Sequence, residues 1–253
     1  MIDYEYVLKK FKKYVEKFDT FDQKIAMTIS HSYHVADLAG KLAKRLELDV
    51  VEIALVKVIG LLHDIGRFVQ YEKPKTYSDN KSKMDHAEIA ISYLFDENHI
   101  EDFKIPEEYH KIINKAIFNH NKLAIEENLT EKELYFAKFL RDVDKIDIFR
   151  QEATSLDLVF NETITEKVRK DFYKHHLVNN RNIQNLSDFI VCEIAYVFDI
   201  NFKESFELLI DTDNLELFLS VIQIEKEMES EFESLKKEVR NFIEERISEE
   251  YVG

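Results

Sequence analysis

A chain of 253 residues with 45% hydrophobic side chains can fill the core of one large domain, or of a core with an extension. Four Gly and two Pro leave almost no turn chemistry, which argues against β sandwiches and barrels and for long helices joined by polar loops. A net charge of −15 with no offsetting Lys/Arg cluster repels nucleic-acid polymers, while bound divalent cations would still admit a small anionic substrate.

The single cysteine, Cys192 within Phe189-Ile190-Val191-Cys192-Glu193-Ile194, excludes an internal disulfide, fits a reducing compartment and reads as core. The amino terminus, Met1-Ile2-Asp3-Tyr4-Glu5-Tyr6, has no basic region followed by an apolar stretch. No run of about eighteen apolar residues occurs. The expectation is a soluble, cytoplasmic protein with no signal peptide and no membrane partner.

Val7, Phe11, Tyr14, Val15 and Phe18 recur at helical spacing and predict an amphipathic helix over 3–18. A second helix is predicted from about Asp22 to Leu46, and His31 and His34 fall three residues apart on roughly one of its faces. Residues 50–65 read as a buried helix, apolar nearly all round. That helix closes on Leu61-Leu62-His63-Asp64-Ile65-Gly66-Arg67. A buried helix does not end in His-Asp by hydrophobic logic, since a buried charge costs several kcal/mol unless it is paired or holds a metal. The plainer alternative is that Asp64 caps the next turn while Gly66 ends the helix.

Residues 70–83 form the longest clearly irregular stretch, in which Asp79, Lys81 and Lys83 could gate a site or simply face solvent. Helix resumes at Met84-Asp85-His86-Ala87-Glu88 and runs to Phe95. Pro106 opens another helix at its first turn, ending at Asn119-His120-Asn121. Thr130-Glu131-Lys132-Glu133 is a capping-box pattern that starts a helix leading into Arg141-Asp142-Val143-Asp144-Lys145-Ile146-Asp147. Residues 187–200 read as a buried helix and 213–248 as one long helix. In the latter, Val221, Ile224, Met228, Phe232 and Leu235 suit either packing on the core or a homodimer seam. The fold class is all-α, with a catalytic core over 1–150 and a helical extension over 151–253 packed on it as one unit.

His31, His63, Asp64, His86, His120 and Asp144 each adjoin strongly apolar helical sequence. Four histidines with two carboxylates suit Zn, Fe, Mn, Co or Ni better than calcium, with Mg as a further candidate. Six ligands exceed what one tetrahedral ion uses, so two ions sharing a bridging carboxylate is the economical arrangement. Such a pair can acidify a shared water and hold both oxygens of a phosphoryl displacement.

The series His31-Ser-Tyr-His-Val-Ala, His63-Asp64-Ile-Gly-Arg, Asp85-His86-Ala-Glu and Val143-Asp144-Lys-Ile-Asp resembles the HD-domain superfamily of metal-dependent phosphohydrolases, over roughly residues 20–150. The resemblance implies that His31, His63, Asp64 and Asp144 bind a first divalent metal. It implies that Asp64 bridges to a second, completed by His86 and His120. Arg67 stands where relatives have Lys or Arg and is implied as a phosphate contact, and Lys145 in a similar role. The implied reaction is attack of a metal-bound hydroxide on a small phosphoester or phosphoanhydride, a nucleotide first among candidates.

Alternatives remain at this level. The six-ligand pattern also resembles that of di-iron oxygenases of the same fold, which cleave C–C or C–P bonds, and a non-catalytic regulatory module could retain the fold. The Gly-Tyr-Pro signature of relatives that degrade cyclic dinucleotides is replaced here by Asn121-Lys122-Leu123-Ala124-Ile125. His86 and His120 could instead contact substrate in a one-metal site. Asp142 and Asp147 compete with Asp144 for the last ligand position, the register favouring Asp144. Asp147 could support a ligand from behind, and His34 could support the site or lie at the surface. His99, His110, His175 and His176 lack a partner motif and read as surface or packing residues.

Overall fold

The computed structural model describes residues 1–72, 75, 84–154 and 158–248. Its helices are α1 (Tyr4–Val15), α2 (Gln23–Arg45), α3 (Val50–Leu62), α4 (Ile65–Glu72), α5 (His86–Ile91), α6 (His110–Asn119), α7 (Glu131–Glu152), α8 (Glu166–Phe172), α9 (Leu186–Ile194), α10 (Lys203–Thr212), α11 (Asn214–Val221) and α12 (Glu229–Ser248). The all-α expectation holds. Among the described residues the strand content is one two-residue parallel pair, Val159–Phe160 beside Gln223–Ile224. No helix among them is long and apolar enough to cross a membrane.

Several helices begin where a carboxylate can satisfy their free first-turn N–H groups. Asp3, Asp22, Asp49 and Asp85 stand in extended conformation just before α1, α2, α3 and α5, and each accepts from the turn that follows. The capping box at α7 forms as predicted. The Thr130 N–H donates to Glu133 Oε2 at 2.9 Å, and the Glu133 N–H donates to Thr130 Oγ1 at 3.3 Å.

The chain divides into two compact units, Met1–Asp144 and Lys145–Gly253. In the first, α2 lies along α3, α1 packs on α3, and α4 packs on α5. Two close approaches depend on glycine. A β-carbon at residue 60 would stand 3.1 Å from Val35 O, and one at residue 66 would stand 2.2 Å from His86 O and 2.6 Å from Ala90 N. Gly66 is therefore not a helix terminator. It lies inside α4, where the missing side chain lets α5 come close.

The second unit is built around α9, whose Ile190, Val191, Cys192 and Ile194 are all buried. The single long helix predicted over 213–248 is not formed. α11 ends at Val221, Ile222 turns extended, and the chain pairs with the 158–160 segment before α12 starts. The Gln223 N–H donates to Leu158 O at 2.8 Å and the Glu225 N–H donates to Phe160 O at 3.1 Å. This pairing satisfies backbone groups that a helix would have satisfied internally. Phe232, Leu235, Val239 and Ile243 form the buried stripe of α12. Phe232 meets the ring of Phe160, and Phe242 meets Phe198 and Phe206, all inside the second unit.

Candidate metal centre

Each candidate ligand is carried by a different stretch of the first unit. His31 lies within α2, and His63 is the C-terminal cap of α3. Asp64 occupies the turn between α3 and α4. His86 is the first residue of α5, His120 caps the end of α6, and Asp144 projects from α7. All six are buried, at 0–7% exposure, although every one has a polar side chain. Such residues do not gather in a core by hydrophobic logic.

The Asp64 carboxylate lies between two pairs of imidazoles. Its Oδ2 is 3.7 Å from His63 Nε2 and 3.9 Å from His31 Nε2. Its Oδ1 is 3.4 Å from His86 Nε2 and 3.6 Å from His120 Nε2. Within the pairs, His31 and His63 approach through Nε2 at 3.2 Å, and His86 and His120 at 2.9 Å. Asp144 Oδ1 joins the first pair, 3.1 Å from His31 Nε2 and 3.5 Å from His63 Nε2. Two groups, His31–His63–Asp64 and Asp64–His86–His120, thus bring their ligand atoms within 4.8 Å of one another.

The backbone fixes two of the rings. His63 Nδ1 donates to Gly60 O at 2.7 Å, and His120 Nδ1 donates to Ile117 O at 2.6 Å, because a carbonyl oxygen can only accept. In the neutral rings Nε2 then carries a lone pair, aimed at the carboxylate. Burial pushes the His120 imidazole down to about 4, against the raising effect of Asp64, so a proton does not fill the gap at neutral pH. Burial would raise the Asp64 carboxyl, but His63, Arg67, His120 and His86 outweigh it and hold the group well below the usual carboxylate range. Its Oδ1 is buried and accepts no hydrogen bond. A buried carboxylate facing the Nε2 lone pairs of His63 and His120 fits a cation, and the N/O mixture suits divalent transition metals.

Arg67 is partly exposed, with Nε 3.5 Å from Asp64 Oδ1 and Nη1 donating to Gln70 Oε1 at 3.2 Å. Lys145 is buried, with its ammonium 5.2 Å from the centre of the Tyr196 ring. Asp147 is engaged by Arg150 through two hydrogen bonds of 2.7 and 2.8 Å, so it forms an ion pair on its own helix. Asp142 is buried. His34 is exposed and its Nδ1 donates to Ser30 O at 2.7 Å. His99 stacks on Tyr93, His110 bonds Ile105 O, His175 pairs with Glu238, and His176 is exposed. Asp79, Lys81 and Lys83 lie outside the described residues.

Three supports of the centre escaped the sequence reading. Asp85 caps α5 and also accepts from Asn121 Nδ2 at 2.8 Å and from the Lys122 ammonium. Both partners pull the Asp85 carboxyl down against the raising effect of its burial. The Asn121 amide is also 3.4 Å from His86 Nδ1. Arg141, 1% exposed, donates through Nη1 to Asn119 O at 2.5 Å and to Lys122 O at 2.7 Å. The visible signal was Asn-His-Asn-Lys directly after an apolar helix, where polar residues with amide and ammonium donors are out of place unless the turn is anchored.

Residues 28–151 match the family model described as the HD domain. No curated protein and no solved structure matches the chain.

Proposed function

The chain belongs to the HD-domain family through residues 28–151, and on that footing we propose that it is a metal-dependent phosphohydrolase. Its substrate is a small phosphoester or phosphoanhydride, a nucleotide first among candidates. The observation that carries the reading is the Asp64 carboxylate, with one oxygen toward His31 and His63 and the other toward His86 and His120. His31, His63, Asp64 and Asp144 would hold one divalent ion, and Asp64, His86 and His120 a second. When bound, such ions acidify a water to a pKa of about 7 and neutralise charge on phosphoryl oxygens.

The protein's own groups supply the rest. The backbone carbonyls of Gly60 and Ile117 hold His63 and His120 in the tautomer that presents Nε2 to a cation. Arg67, within 3.5 Å of Asp64 and partly open to solvent, would hold a substrate phosphate through its guanidinium. Lys145, directly after Asp144 in the chain, would be a second phosphate contact.

The test is elemental analysis of protein purified without added metal or chelator, followed by phosphate release from a panel of nucleotides and sugar phosphates. The expected result is about two ions per chain and metal-dependent phosphate release, both lost in His63→Ala/Asp64→Ala. Iron together with O2 consumption in the presence of a polyol or phosphonate would favour the oxygenase chemistry instead. Absence of metal after reloading with divalent ions would leave a binding module.

A further inference from the structure

We propose that Arg141 is a positioning residue for the His86–His120 half of the centre, an inference that rests on the reading that this half holds a cation. Arg141 is 1% exposed and ranks among the largest fully buried side chains. A buried guanidinium is costly unless hydrogen bonds offset it, so its partners bear on what it is for. One nitrogen, Nη1, reaches both Asn119 O and Lys122 O. These two carbonyls flank His120, one on the residue before it and one two residues after it. α6 ends here, and the last carbonyls of a helix have no N–H partner within it. Arg141 fills that role from α7, three residues before Asp144 in the chain.

The opposite side of the same turn is tied to α5. Asn121 and Lys122 both bond the Asp85 carboxylate, which caps the helix that His86 opens. The Asn119 side chain adds a third tie, donating to Lys115 O at 2.8 Å and accepting from the Glu126 N–H at 2.8 Å. The turn from 119 to 122 is therefore clamped between Arg141 and Asp85, with His120 on it and His86 beside it. The 2.9 Å approach of the two imidazoles follows from this clamp. The other half of the centre has its own supports, including the Gly60 carbonyl behind His63. Loss of the clamp should thus act on one half alone.

The experiment is calorimetric titration of Mn2+ into the chelator-stripped full chain, comparing the native protein with Arg141→Gln, Arg141→Lys and Asn121→Ala, folding being checked by circular dichroism. The native protein is expected to take up two ions. Arg141→Gln should bind the first ion as before and the second about 10–100-fold more weakly, the usual cost of losing a group that orients a ligand. Arg141→Lys should fall between the two. A folded Arg141→Gln that binds both ions with native affinity, or that weakens both equally, overturns the proposal. If Arg141→Gln fails to fold, Asn121→Ala loosens the same turn from the Asp85 side. An unchanged second-ion affinity in Asn121→Ala then overturns the clamp. Native protein that takes up no second ion would instead overturn the parent reading, and is seen before any variant is measured.

Discussion

His86 Nε2 and His120 Nε2 stand 2.9 Å apart, each within 3.6 Å of the same Asp64 oxygen. With His120 Nδ1 committed as a donor to Ile117 O, this contact has more acceptors than donors. A cation relieves it, so the folded state should bind divalent ions that the unfolded chain does not. At a free ion concentration of about 100 Kd each site adds about 2.7 kcal/mol. For a chain of this size that corresponds to roughly 5–10 °C in Tm for each occupied site. Thermal melts with and without chelator should show a drop of that order, and Asp64→Asn should abolish the metal-dependent part.

Arg67 touches Asp64 but reaches solvent, which separates its role from that of the ligands. Arg67→Ala should leave metal content unchanged and lower kcat/KM for a phosphate ester by about 100-fold, the scale for losing one charge-stabilising donor. Steady-state kinetics beside elemental analysis checks it, and a parallel loss of metal would reassign Arg67 to holding Asp64.

Gly66→Ala places a methyl 2.2 Å from His86 O and 2.6 Å from Ala90 N, both backbone atoms that cannot rotate away. Gly60→Ala meets Val35 O at 3.1 Å, a tighter than ordinary contact that a small shift relieves. Overpacking costs about 1–3 kcal/mol. Urea denaturation should put Gly66→Ala at or beyond the top of that range and Gly60→Ala near the bottom, and the reverse order would contradict the packing described.

The Glu133 carboxyl is drawn from its ordinary value of 4.5 down to about 2, first by the Lys111 ammonium 2.7 Å away and then by the Thr130 N–H. Because the folded value lies below the unfolded one, the stabilisation is full above about 4.5 and disappears as pH falls toward about 2. Urea midpoints measured at pH 6 and pH 3 should therefore differ less for Glu133→Gln than for the native chain. An equal difference in both would remove Glu133 from the acid response.

Cys192 is 1% exposed, and burial pushes its thiol above the ordinary range, with Glu193 and Asp188 acting in the same direction. A thiol reagent should fail to label the folded protein over hours and label one group per chain at once in denaturant. Rapid labelling of the native state would mean that α9 opens easily.

The candidate ligands were legible because they break a pattern. His63-Asp64 closes a long, mostly apolar run, and His86 and His120 adjoin strongly apolar helical sequence. Register favoured Asp144 over Asp142 and Asp147, and the structure shows Asp147 engaged by Arg150. Arg141 was not legible. In Arg-Asp-Val-Asp-Lys it looks like one more charge on a helix face, and only the fold reveals that it points at the end of α6. The break at Ile222 was hidden for a related reason. The apolar spacing runs through it without Gly or Pro, and what ends α11 is pairing with a segment more than sixty residues earlier (Gln223 with Val159). Local pattern records what each helix needs from its own faces, and is silent on bonds made across the chain.

Asp144 is the last residue of the first unit, so all six candidate ligands precede the division of the chain. A recombinant or descendant that keeps the chain whole through the end of α7 inherits every donor atom, whatever sequence follows. Substitutions after residue 152 leave all six of those residues in place.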